Sequence, residues 1–254
     1  MMTGNFHTHT TRCNHAYGTE REYIEAAIEK GFKVLGFSDH VPQPFPDYVS
    51  EVRMGMEDIP DYTGTLVKLR DEYSDRIKIL IGYEVEYTKK YFGTLIKKLR
   101  EFPLDYIIQG QHFSPDEPNG FYAGDQTDDE SRLRDYVDLT IEGMGTGLFS
   151  YLAHPDLINF TGSEKLYMEQ MEKLVAASID FDVPLEVNML GFATGRNYPC
   201  DRFFSLASHM GAKFIVGCDA HSPDQIRQIE DVPGFKDFIV RNKIVFDQNL
   251  KLVL

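Results

Sequence analysis

Short apolar runs alternate with amphipathic stretches along the whole chain, and the apolar runs end in histidine, glutamate or aspartate. His7, His9, His15, His40, His112, His154 and His221, seven of the eight histidines, fall in short motifs at these ends, and Glu84 and Asp219 hold equivalent places. Alternating strand-type and helix-type periodicity implies a parallel sheet joined by crossover helices. Such a chain brings the carboxyl ends of its strands to one face, where residues distant in sequence converge. Nine ligand-type side chains in equivalent topological positions point to a multinuclear metal site rather than to packing.

Strands are predicted over 2–8, 33–38, 77–85, 106–109, 149–153, 185–188 and 214–217, and helices over 19–30, 57–73, 89–100, 128–144, 163–181 and 200–209. Thr19 followed by Glu22 has the spacing of a capping box, and Gly31 suits the residue after a helix end. The tail from Pro223 is expected to hold short helices and one further short strand. Three segments are predicted to be irregular, 41–56, 113–127 and 189–199, and loops of that length in a compact domain are usually functional. The expected fold class is α/β, a single domain over 1–254.

Composition narrows the function. The chain has 254 residues, 42% hydrophobic and 26% charged, enough for one sizeable core. A formal charge of −14 argues against a broad basic surface for nucleic acid or acidic membrane. That figure omits any bound cation, whose own charge must enter the local electrostatics. No apolar stretch is long enough for a membrane-spanning helix, and no basic, apolar leader is visible. Cys13, Cys200 and Cys218 lack CxxC spacing and fit reduced thiols in a cytoplasm.

Each motif taken alone is compatible with an ordinary mouth or surface histidine. In Phe6-His7-Thr8-His9 the two imidazoles are two residues apart, which in a strand places them on one side. Ser38-Asp39-His40 follows an apolar run, and Asp39 is placed to orient a ligand imidazole. Glu84 ends its strand with Glu86, of the same parity, as the rival choice. Gln111-His112-Phe113, Ala153-His154-Pro155-Asp156 and Cys218-Asp219-Ala220-His221 end three more. Recurrence at equivalent ends defeats the packing explanation. His209 falls inside a predicted helix and reads as an ordinary helix residue.

The motifs FHTHT at Phe6, GFSDH at Gly36, GYEVEY at Gly82, QHF at Gln111, AHPD at Ala153, EVN at Glu186 and GCDAHSP at Gly217 occur in this order. From Asn5 to about Ile226 the chain resembles the polymerase and histidinol phosphatase (PHP) superfamily of metal-dependent phosphoesterases, in particular its monofunctional histidinol-phosphate phosphatase branch. The resemblance implies a distorted (β/α)7 TIM-like barrel with three divalent transition-metal ions at the C-terminal face of the strands, zinc, iron or manganese. His7, His9, Glu84 and Asp219 would hold one ion. Glu84 would bridge to a second, with His112 and His154, and His15, His40 and His221 would hold the third. Glu84, Asp219 and His221 are the expected catalytic residues. The chain departs from the branch at the residue before His112 and in the Gly191–Asn197 loop, both beside the substrate.

Imidazole and carboxylate ligands suit zinc or iron and permit manganese. Phosphate monoesters hydrolyse very slowly unaided, and paired divalent ions both generate hydroxide near neutral pH and clamp the phosphoryl oxygens. The implied reaction is hydrolysis of L-histidinol phosphate in histidine biosynthesis, with a small-molecule phosphate ester as partner and no covalent phosphoenzyme. Phosphate also favours a guanidinium, and Arg196 and Arg53, in two of the irregular segments, are the substrate-binding candidates. Two alternatives stay open: another PHP phosphoesterase, tyrosine-phosphatase-like or nucleotide phosphodiesterase, and a non-catalytic metal-binding domain.

Overall fold

A computed structural model describes residues 1–252. Four parallel strands pair in the order β1 (Gly4–Asn5), β2 (Val34–His40), β3 (Lys78–Val85) and β4 (Tyr106–Gln109). Two more, β7 (Leu185–Asn188) and β8 (Phe214–Gly217), pair in parallel with each other. Single parallel bridges join the two sets, Gln109 to Leu152 and Leu152 to Leu185 on one side, Thr8 to Ala220 on the other. The strands therefore curl on themselves. The helices α1 (Glu20–Glu29), α2 (Ile59–Glu72), α3 (Phe92–Leu99), α4 (Glu130–Met144), α5 (Glu164–Asp180) and α7 (Asp201–Met210) intervene between them, and α8 (Phe235–Arg241) follows.

Local chemistry accounts for the helix ends. Thr19 accepts from the Glu22 backbone N–H, and the Glu22 carboxylate accepts from the Thr19 N–H at 2.7 Å, the reciprocal pair expected of Thr-x-x-Glu. The predicted 57–73 helix is split, with a 3₁₀ turn at Met56–Asp58 before α2, whose first turn holds Pro60.

Several expectations required correction. Of the predicted 2–8 strand only Gly4–Asn5 pairs in register, with one further bridge at Thr8. The predicted 149–153 strand is reduced to the bridges at Leu152, because the chain turns inward there to reach His154, whose φ is 30°. The 113–127 segment contains an antiparallel hairpin, β5 (Phe113–Ser114) with β6 (Phe121–Tyr122). The 189–199 segment begins with a short helix, α6 (Met189–Ala193), capped by the Asn188 side chain on the Gly191 N–H at 2.8 Å. The 41–56 segment is irregular, as expected, and the strand expected in the tail amounts to one bridge, Phe214 to Phe246.

The core has two parts. Outward residues of β3, Ile79, Ile81, Tyr83 and Val85, join the apolar faces of the helices. Inward, Phe6, Leu80, Tyr106, Ile108, Tyr151, Ala153 and Ile215 plug the interior. Tyr106 lies across the ring and its hydroxyl donates to the Phe6 carbonyl at 2.9 Å. Its ring occupies the space left at Gly82, where a Cβ would stand 2.5 Å from Tyr106 Cε1. Gly82→Ala is therefore expected to lower stability by about 1–3 kcal/mol, the scale of an overpacked core. An unchanged urea midpoint would argue that Tyr106 moves freely. Because Leu80, Gly82 and Glu84 share one strand parity, the plug ends where Glu84 begins.

Candidate metal centre

The parallel register pairs His40 with Glu84 directly. Both side chains rise at the carboxyl ends of their strands, above the apolar plug. The Thr8–Ala220 bridge brings the Phe6–His9 and Cys218–His221 motifs to the same level. All nine candidate ligands meet there. Glu84 stands in the middle and faces five imidazoles. Its Oε2 is 3.5 Å from His7 Nε2, 3.6 Å from His9 Nε2 and 3.0 Å from His40 Nδ1. Its Oε1 is 2.7 Å from His154 Nε2 and 3.4 Å from His112 Nε2. A side chain at residue 110 would fill the space of this carboxylate, which explains Gly110 beside it.

Asp219 Oδ1 lies 3.1 Å from His9 Nε2 and 3.4 Å from His7 Nε2. His15 and His221 face each other through their Nε2 atoms, 3.1 Å apart, and the His40 ring lies tilted 5.3 Å from that of His15 by centroid. His154 and Asp219 both have left-handed backbones, with φ of 30° and 52°. For residues other than glycine that conformation costs about 1–2 kcal/mol. Strain of this kind gathers at functional positions. His209 lies exposed on α7, away from the cluster, as expected.

The electrostatics are those of a cation site. Burial alone would raise the Glu84 carboxyl, but the imidazoles of His112, His40 and His7 hold it well below the usual carboxylate range. Asp219, equally buried, is held low by His7, His9 and His221. His7 and His9 run against their own burial and are raised, His7 by Asp219, Glu186 and Glu84 and His9 by Asp219 and Asp39. Burial pushes the His40 imidazole down and takes His221 to about 3.

A metal ion fits this donor set. His7 Nε2 and Glu84 Oε2 are both buried without a hydrogen-bond partner, although buried polar groups are normally satisfied. Two orphaned atoms 3.5 Å apart, one imidazole nitrogen and one carboxylate oxygen, are what a shared cation would satisfy. Metal-ligating histidines usually carry a carboxylate on the other nitrogen. His7 Nδ1 is 2.7 Å from Glu186 Oε1, and His9 Nδ1 is 3.4 Å from Asp39 Oδ1, the orienting place expected for Asp39.

The sequence motifs assign no site role to Glu186, although EVN contains it. It is fully buried, and its Oε2 accepts from the His154 N–H at 3.0 Å and from Asn188 Nδ2 at 2.9 Å. Asn188 also donates to Asp219 Oδ2 at 3.1 Å. The available signal was two polar residues of one parity in a short buried strand. Cys13 likewise carries no ligand motif, yet its Sγ, His15 and His221 offer donor atoms within 4.8 Å of one another.

Above the cluster opens a cavity of about 530 Å³. Val52, Phe113, Tyr122, Leu190 and Tyr198 form much of its wall, and both candidate arginines reach it. Arg196 donates to the Tyr198 hydroxyl at 2.6 Å and forms no ion pair among the described residues. Arg53 differs. It is buried, and its guanidinium donates to Glu117 at 2.6 Å, Glu86 at 3.1 Å and the Val41 carbonyl at 3.3 Å.

Residues 5–190 match the family model of the PHP domain. The chain belongs to the PHP domain family. Among PHP relatives, it is 30% identical over 252 residues to a "probable histidinol-phosphatase" of Deinococcus radiodurans, covering 92% of this chain and 95% of that one. A protein of the same name from Schizosaccharomyces pombe is 26% identical, with 87% and 81% covered. The solved histidinol phosphate phosphatase of Lactococcus lactis, complexed with zinc, L-histidinol and phosphate, superposes with a TM-score of 0.74. At 17% identity, with 98% and 99% of the two chains covered, it shows that this PHP chain shares its fold. No helix among the described residues is long and apolar enough to cross a membrane.

Proposed function

We propose that the chain is a metal-dependent phosphoric monoester hydrolase acting on L-histidinol phosphate, releasing L-histidinol and phosphate for histidine biosynthesis. The observation that carries this reading is the placement of Glu84, whose two carboxylate oxygens face two different sets of imidazoles. His7, His9, Asp219 and Glu84 would hold one ion, His112 and His154 with Glu84 a second, and His15, His40 and His221 a third. Zinc, iron or manganese suits these ligands. When bound, such ions neutralise phosphoryl charge and generate hydroxide from water near neutral pH.

The chain's own residues do the rest. Glu186 and Asp39 fix the rings of His7 and His9 by their outer nitrogens. Arg196, unpaired with any carboxylate among the described residues, takes the phosphate oxygens. The apolar and aromatic wall holds the leaving group and limits water. The relatives named histidinol-phosphatase support that substrate. The bridges through Leu152 and Ala220 support a closed (β/α)7 barrel within one domain over 1–254. Three free cysteines support a reducing cytoplasm.

Metal-loaded protein should hydrolyse histidinol phosphate faster than a phosphotyrosine peptide or a nucleotide phosphodiester. A preference for either of the latter would replace the substrate, and no hydrolysis of any would leave a metal-binding domain. Fully loaded protein should contain three transition-metal ions per chain by elemental analysis. A single ion, or uptake of only calcium and magnesium, would overturn the three-ion reading.

A further inference from the structure

We propose that Arg53 serves the metal centre through Glu86 and His112 instead of binding the substrate, an inference that rests on His112 being a metal ligand. Glu86 Oε1 accepts from the His112 backbone N–H at 3.1 Å and lies 3.1 Å from His112 Nδ1. The other ring nitrogen, Nε2, points to Glu84 Oε1 at 3.4 Å. Glu86 Oε2 lies 3.1 Å from Arg53 Nη2. A continuous row of polar side chains thus runs from the buried guanidinium through Glu86 and the partly buried His112 ring to the central carboxylate. A carboxylate beside Nδ1 favours the ring form that carries its proton there, leaving the Nε2 lone pair directed at the cluster.

Arg53 is what makes this arrangement tolerable. Glu86 is 1% exposed, and a buried carboxylate without a cation bears the full cost of lost hydration. Removing the guanidinium would release Glu86 from its position and His112 from its partner. The competing role, direct phosphate recognition, is weakened by the same contacts. Arg53 is 4% exposed and already neutralised by two carboxylates, Glu86 and Glu117. Tyr48 and Ser50 also donate to Glu117, at 3.0 Å and 2.6 Å, tying the 41–56 segment to the β5–β6 hairpin around this pair. Arg196 has no such obligation, so the two arginines divide the work.

The test titrates zinc into wild type, Arg53→Gln, Arg53→Lys and Glu86→Gln against a competing chelator, alongside steady-state kinetics on a phosphate monoester. Arg53→Gln and Glu86→Gln should each weaken one zinc ion by about 10–100-fold, the usual cost of losing a ligand's orienting partner. Their kcat should fall at subsaturating zinc and recover as zinc is raised, with KM little changed. Arg53→Lys, which keeps the charge, should fall between these variants and wild type. Unchanged zinc affinity with a raised KM in Arg53→Gln would overturn the proposal and return Arg53 to the substrate. If Arg53→Gln does not fold, the near-isosteric Glu86→Gln decides alone, and wild-type zinc affinity in it overturns the proposal. Failure of wild type itself to bind zinc or hydrolyse a monoester would instead sink the phosphatase reading.

Discussion

Glu84→Ala should lose about a thousandfold or more in kcat on a phosphate monoester, equivalent to about 4 kcal/mol of transition-state stabilisation. Both oxygens of this buried carboxylate are engaged, one towards His7, His9 and His40 and the other towards His112 and His154. Its removal would leave five imidazoles converging without the anion that balances a cation among them. Two metal positions would be disturbed together, so metal content should fall along with turnover. Elemental analysis and single-turnover kinetics separate the losses. Turnover equal to wild type would reject the bridging role and return the assignment to Glu86, whose contacts with Arg53 and the outer nitrogen of His112 argue otherwise.

Arg196→Ala should lower kcat/KM for a monoester by about 2–4 kcal/mol, or roughly 30- to 1000-fold, the range for truncating one partner of a charge-paired contact. Arg196 lines the same cavity as the histidine cluster, steadied by the Tyr198 hydroxyl at 2.6 Å. Tyr198 in turn packs 5.6 Å from the His154 ring, so the guanidinium is anchored to a candidate metal ligand. Metal content should not change, which distinguishes this variant from Glu84→Ala. A phosphate or sulfate soaked into crystals should lie within hydrogen-bonding distance of the guanidinium. An unchanged kcat/KM would remove Arg196 from the site.

Hydropathy period and turn chemistry determined, from the amino-acid order alone, the parallel strands, the intervening helices and the gathering of nine ligand-type residues at one face. Those properties are local. Strand parity decides which side His7 and His9 share, Thr19 and Glu22 close a cap three residues apart, and an apolar run ending in Ser-Asp-His ends at the mouth wherever the strand lies. The short ends were less legible. Leu152 pairs through isolated bridges because the backbone bends at once to aim His154, and the 113–127 hairpin has only two residues on each side. What only the tertiary structure decided was who stands behind the ligands. Glu186 reaches His7 across 179 positions, and Arg53 reaches Glu86 and Glu117 across 33 and 64. A period of two or 3.6 residues reports the face on which a side chain lies, but not its neighbour on the next strand. That neighbour depends on register and curl, which arise only when the whole sheet closes around its core.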